Sequence, residues 1–344
     1  MQVDAMGPLG AFGIPSFDRE GHPLVLVFAA QTFVLPPAGR TATSAPALHP
    51  EQLPPPQEDV HWGEPGESSL HHEGQSAYVR VGTDVFVSGQ AWAPRGRPVT
   101  TMKLGVRVGP CTRSALVFGD RVWQRDLVGL SMSSPLPFAS IPAIYERSFG
   151  GVAPQSGKPS DFCQRNPVGR GVYGSVAEAR DQPLPNFEAV DDPITELSSR
   201  PDPVGFGPVA RHWAPRVGWA GTYDELWVES RAPLWPQDLD LRYFSAASPG
   251  LTAPGELRGG EPVVLAGWSP DGDMRLPLPT VRVVAHTELR GRADRRRMIL
   301  DVVHLQPEDG IMTLIWRAAI PLGGPAGDHE ITRVRLLEDW EDAP

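Results

Sequence analysis

The sequence predicts a mainly β fold: an antiparallel sandwich or two packed sheets, interrupted by a large irregular central segment. Three observations predict it. Short apolar or alternating runs of strand length recur on both sides of the centre, bounded by turn residues. The 344 residues include 39 Pro and 36 Gly, which interrupt helices and favour loops and sheet edges. The best helical stretch covers only residues 223–230.

Taken in order, residues 1–20 read as a flexible N-terminal arm, and 21–344 as a single β-rich domain. The continuous apolar run 24–28 has strand length, and 31–35 extends it. Residues 36–76 form a Pro-rich excursion around Pro54, Pro55 and Pro56, either a mobile loop or a strap laid over the body. Residues 78–81 and 84–87 read as strands around a Gly-Thr break, and the alternation over 103–108 as a half-buried strand. Runs 115–118 and 121–123 flank Gly119-Asp120 as a hairpin, so 78–125 is expected as an antiparallel meander. Residues 145–250 are irregular, with Thr222 or Asp224 capping the 223–230 helix and Pro233 and Pro236 stopping it. A second β region spans 260–340. It holds a strand at 262–265, turn chemistry at 269–272 and a run at 274–284 broken by Pro277 and Pro279. A hairpin of 297–305 with 311–319 and a last strand at 331–337 complete it.

A net charge of −10 argues against non-specific binding to nucleic acid or to an anionic membrane. Cys111 and Cys163 are too few for a disulfide framework or a Cys-rich zinc site. No basic leader with an apolar stretch opens the chain, and no apolar run approaches membrane-spanning length. A reducing cytoplasm is the expected compartment.

The densest information lies at 145–244. In order come Tyr-Glu-Arg-Ser-Phe-Gly-Gly (145–151), Asn-Pro-Val-Gly-Arg-Gly (166–171), Leu-Pro-Asn-Phe-Glu (184–188) and Gly-Phe-Gly-Pro-Val-Ala-Arg-His-Trp-Ala-Pro-Arg (205–216). Gly-Thr-Tyr-Asp (221–224) and Asp-Leu-Asp-Leu-Arg-Tyr-Phe (238–244) complete the series. The ring density around Trp213, Trp219, Trp227 and Trp235 is too high for an ordinary surface loop. This ordered series resembles a bacterial family long labelled a domain of unknown function and encoded beside type VI secretion spike proteins and their toxic effectors. The resemblance runs from about residue 24 to about 284. It implies an adaptor or chaperone for effector loading, with an effector or spike-tip protein as partner and no enzyme activity. The family commonly carries a lysine just before the Thr-Asp-Val triplet found here at 83–85. This chain has Val79-Arg80-Val81-Gly82 instead.

Read as residues, the motifs suggest a scaffold. Glu146 and Arg147 are adjacent and point to opposite sides of an extended chain, so each needs a partner elsewhere. Arg216, Asp224, Glu188 and Asp240 are the candidates for a buried ion network that fixes the Pro/Gly-rich centre, with Glu146–Arg216 as one pairing. Asn166-Pro167 and Pro185-Asn186 read as turn-satisfying pairs. Gly169, Gly171 and Gly174 allow positive φ or close backbone approach, and Phe149, Gly150, Gly151, Gly221, Thr222 and Tyr223 are motif residues with a structural or interaction role. Trp213, Trp219, Trp227 and Tyr223 are expected to pack together with Arg216 stacked over a ring, or to form an exposed protein-binding anchor.

No residues are assigned a catalytic, cofactor-binding or metal-binding role. His61, His71 and His72 lack metal-ligand spacing, and the adjacent pair 71–72 reads as solvated. Cys163 has no obvious His partner in sequence, Ser148 and Ser175 sit in no nucleophile elbow, and the glycines around 169–174 lack a phosphate-loop context. The arginines at 290, 292, 295, 296 and 297 read as a solvated connection, or as a contact for an acidic partner surface. The alternative function is a hydrolase or carbohydrate-active enzyme using Glu146, Glu188, Asp224 and Asp240. An open cleft lined by these groups would favour it; closure against arginines would favour the adaptor. A structural cap joined to the spike is a third reading. The sequence sets no oligomeric state.

Overall fold

The structure, a computed structural model, describes residues 2–125, 129–153, 162–289, 291–323 and 329–337, with the backbone alone for 329 and 330. It is mainly β, built from three principal sheets. The central sheet has the strand order Gly10–Phe17, Pro23–Val34, Ile311–Pro321, Ile299–Gln306, Asp84–Val87. All its pairings are antiparallel except the last, where Asp84–Val87 runs parallel to Ile299–Gln306. The second sheet is antiparallel throughout, in the order Phe187–Glu188, Cys111–Phe118, Thr101–Val108, Pro262–Ala266, Met274–Pro277. The third joins Gln2–Ala5, His329–Leu336, Val283–Leu289 and Arg292–Arg297.

The continuous apolar character of residues 24–30 has a direct cause. Strand side chains alternate between faces, and here both faces are covered. Val25, Val27 and Ala29 join the cluster shared with Val106, Val117 and Leu265 of the second sheet and Ala285 and Val334 of the third. Leu24, Leu26 and Phe28 face the other way, toward Phe12, Ile14 and Tyr78. On that same back face Ala30, Phe86, Val302 and Ile315 pack against Ala246. The back cover is irregular chain: the 36–76 strap and part of the 145–250 segment.

Several expectations change. Residues 1–20 are no loose arm. Gln2–Ala5 and Gly10–Phe17 are strands, because Phe12 and Ile14 alternate toward the core and Phe12 stacks on Phe28 at 5.2 Å. The 36–76 excursion is a strap: Gln52 bonds the backbone of Thr32, and Val60–His61 pairs with Leu70–His72. Residues 78–81 are not a strand, since Arg80 turns inward to a charge network described below. The meander expected over 78–125 is split between sheets. Cys111–Phe118 pairs with Thr101–Val108 across Gly109-Pro110, and Trp123–Arg125 pairs with Leu130–Met132. The arginine-rich stretch is an edge strand, Arg292–Arg297, with Arg290 outside the described residues. Pro277 and Pro279 separate two strands that belong to different sheets.

Leu26 is fully buried on the back face. Leu26→Ala is expected to lower stability by about 2–5 kcal/mol through lost burial and a residual cavity. Urea unfolding checks this.

Candidate functional site: a buried arginine–carboxylate network

The central sheet alone places three charges on its covered back face. Asp84 opens its strand, Arg317 lies within Ile311–Pro321, and Asp301 occupies a register shift between Leu300 and Val302. A bulge of this kind re-aims a side chain, and here the carboxylate reaches the back face. The strap adds Glu73, the connection that follows it adds Arg80, and the central motif segment adds Arg216.

These six side chains form one connected network. Arg216 Nη2 donates to Glu73 Oε1 at 2.8 Å, and Arg80 Nη2 donates to Glu73 Oε2 at 2.9 Å. Arg80 Nη1 donates to Asp84 Oδ2 at 2.5 Å, and Arg80 Nε faces Asp301 at 3.7 Å. Arg317 grips Asp301 with two nitrogens, at 2.7 and 3.2 Å. Backbone carbonyls and N–H groups supply further hydrogen bonds. Arg80 donates to Phe244 O, Arg216 to Val209 O and Tyr243 O, and Arg317 to Tyr78 O. Asp84 accepts from Ala246 N at 2.7 Å and Thr252 Oγ1 at 2.8 Å. Three guanidiniums thus meet three carboxylates, all almost fully buried.

Burial of one charge alone costs several kcal/mol, so each member requires the others. Burial raises the Glu73 carboxyl, but Arg216, Arg80 and the partly exposed Arg211 reverse this and hold it at about 2. Burial opposes the Arg80 charge, yet Glu73, Asp84 and Asp301 push its pKa above the ordinary arginine value. Burial lifts Asp84 above the ordinary aspartate value, against Arg80 and its two other donors. Every carboxylate here is committed to a guanidinium. The arrangement is a clamp between strap, sheet and motif segment.

Of the sequence-predicted residues, Arg216 alone enters this clamp. Glu146 does not meet it; Glu146 accepts from Ser69 N at 2.7 Å and Ser69 Oγ at 2.8 Å, pinning the strap elsewhere. Arg147 donates to Asn186 Oδ1 at 3.1 Å. Glu188 forms a separate buried pair with Arg121 and accepts from Ile194 N. Asp224 caps the helix Glu225–Ser230 through Trp227 N, and Asp240 caps a short 3-10 turn and pairs with Arg242. Thr222 bonds Asp238 through both its backbone N and its hydroxyl, beside Gly221 at positive φ.

The two asparagines act as backbone staples. Buried Asn166 donates to Tyr145 O and Phe149 O, and buried Asn186 to Phe118 O and Asp120 Oδ1. Gly150 and Gly169 close tightly around Asn166; a Cβ on either would overlap it. Gly151, at positive φ, accepts Cys163 N on its carbonyl, and its own N donates to Asn166 O. Pro185 O accepts from Arg121, while Pro167 follows Asn166 in the turn. Phe149 is buried with Trp123, Val172 and Leu184.

The tryptophans do not form one cluster. Trp213 is buried edge-on to Tyr145 at 5.4 Å, Trp219 lies under Arg242, and Tyr223 and Trp227 pair at the surface. Arg216 does lie over a ring, that of Tyr243.

Sequence reasoning missed Glu73, Arg80, Asp84, Asp301 and Arg317. A signal was present: each of the last two is a lone charge inside an apolar strand run, which demands a buried partner. It also misread His71 and His72 as solvated. Their rings lie 4.0 Å apart, Trp62 covers His71, and His72 reaches buried His304 at 4.9 Å. His304 bonds Ser88 Oγ at 2.8 Å. Among the described residues, the close grouping of metal-ligand types is Asp18, Glu20 and His22, in an exposed turn where Asp18 accepts both backbone N–H groups.

Fold and site define an all-β scaffold whose irregular cover is locked on by a buried ion cluster. Residues 20–317 match the family described as "uncharacterized protein conserved in bacteria (DUF2169)", and the chain belongs to that family. The matched stretch contains all six members of the clamp, Arg317 being its last residue. No curated protein and no solved structure matches the chain.

Glu73→Gln is expected to cost about 3–5 kcal/mol in denaturant unfolding, because Arg80 and Arg216 lose a buried counter-charge. A double-mutant cycle is expected to couple Glu73 with Arg216, and to leave Glu146 and Arg216 additive within about 0.5 kcal/mol. The histidines give a pH prediction. Burial, reinforced by His71 and opposed by Asp309, depresses His72 from 6.5 to about 4, and burial holds His304 well below the ordinary imidazole value. Below pH 6.5 the unfolded chain therefore binds protons that the native state refuses, so stability falls with pH. From pH 7.5 to 5 the expected loss is roughly 2 kcal/mol from His72 alone, and His72→Gln is expected to flatten that slope.

Proposed function

We propose that this protein is a type VI secretion accessory protein, an adaptor or chaperone that binds an effector or spike-tip protein and holds it for loading. Binding proceeds by surface complementarity, without chemistry. The secretion context rests on the resemblance of the ordered 145–244 motifs. One observation carries the binding role. The motif carboxylates Glu146, Glu188, Asp224 and Asp240 are committed to arginines, backbone N–H groups or hydroxyls, while Tyr223, Leu226 and Val228 of the same segment lie largely exposed to water. On the helix Glu225–Ser230 and its cap, Tyr223, Leu226 and Val228 are 51%, 68% and 61% exposed. A capped helix with no buried residue of its own keeps apolar groups in solvent at a cost that a protein partner removes.

The hydrolase alternative asks for convergent, uncommitted carboxylates. Asp224 and Asp238 share a surface groove, but one caps the helix and the other holds Thr222. Their positions weigh against acid–base roles.

Co-purification with the products of neighbouring genes, at low and moderate salt, tests the adaptor reading. A stable complex is expected. Leu226→Glu, an exposed change, is expected to weaken it by about tenfold or more without lowering the melting temperature. Absence of any complex at either salt concentration would overturn the reading.

A further inference from the structure

Against Arg216, which lines it together with Val209 and Thr252, lies a cavity of about 390 Å³. Val81, Pro215, Trp219 and Ala247 supply apolar walls, and Arg242 lines it with its guanidinium 4.7 Å above the Trp219 ring. Of its hydroxyl residues, Ser248 is bonded to Tyr145 and Thr252 to Asp84, which leaves Ser245. This residue is 6% exposed, its hydroxyl is buried, and among the described residues the hydroxyl has no hydrogen-bond partner. A buried hydroxyl left unsatisfied is costly, so a ligand that brings one polar atom to it recovers a hydrogen bond.

We infer that this cavity is an anchor pocket for an aromatic side chain, Trp or Tyr, of the partner protein. The inference rests on the adaptor reading and deepens it. Trp and Tyr combine a large ring with a single polar atom, which matches apolar walls around one unpartnered hydroxyl. A guanidinium stacked on one ring can present its opposite face to a second. The surroundings identify a protein as the source. Val81 and Val217 are 44% and 46% exposed, with Val81 lining the cavity and Val217 following Arg216 in the chain. Apolar surface that continues outside a pocket fits a partner that covers it together with its anchor.

The test uses the full chain labelled with [¹³C-methyl]alanine. N-acetyl-tryptophanamide and N-acetyl-tyrosinamide are expected to shift the Ala247 methyl resonance saturably, and N-acetyl-alaninamide is not. Ser245→Ala is expected to weaken the aromatic probes about threefold or more, and Ala247→Trp, which fills the cavity, to abolish their binding. Val81→Asp, at the exposed rim, serves if the filled variant does not fold. No saturable shift, or an equal response to the alanine probe, would overturn the pocket. A second arm uses the partner found by co-purification. About tenfold weaker binding to Ala247→Trp or Val81→Asp supports the anchor. Equal binding to wild type and both variants overturns the anchor and leaves the adaptor reading intact. If no partner is found, the adaptor reading fails, and the small-probe arm alone decides the pocket.

Discussion

The architecture depends on a six-membered buried ion cluster of zero formal charge. Glu73 comes from the strap, Arg80 from the connection after it, Asp84, Asp301 and Arg317 from the central sheet, and Arg216 from the motif segment. Apolar contacts are non-directional and would accept the cover in several positions. Guanidinium–carboxylate pairs accept few. Arg80 bridges Glu73 and Asp84, so its geometry sets strap against sheet; Arg216 then sets motif segment against strap. A Pro- and Gly-rich cover is thereby given one conformation. The chain around these residues has little regular hydrogen bonding of its own, and Asn166, Asn186 and Ser69 supply local replacements.

What could be read from the sequence was whatever one strand or one turn declares by itself. The apolar run within Pro23–Val34, the alternation of Thr101–Val108, the turn between Ile299–Gln306 and Ile311–Pro321, and the Asp224 cap are all local. Partner choice was not local. Thr101–Val108 pairs with its neighbour and with Pro262–Ala266, and no spacing announces the second partner. Strand Gly10–Phe17 was hidden because Gly10, Gly13 and Pro15 dilute its alternation.

The site divides in the same way. A buried ion network was foreseen and Arg216 was placed in it, but its partners were sought among neighbouring motifs. The residues nearest in sequence are satisfied by backbone and hydroxyl groups, whereas Arg216 reaches Glu73 across the strap. Arg80 was passed over as well, although its forked guanidinium serves Glu73, Asp84 and Phe244 O at once, which a point charge cannot match in geometry.

The strand order of the central sheet sets the sequence of events in folding. Pro23–Val34 is flanked by its near neighbour Gly10–Phe17 and by Ile311–Pro321 from the far end of the chain. During synthesis the edge opposite Gly10–Phe17 stays without its partner strand until residues 311–321 have been made. Contacts of such long range close slowly. The newborn chain therefore keeps one edge of this apolar strand open while the residues up to 311 are made, and its yield in the cell depends on what shields residues 24–30 in that interval.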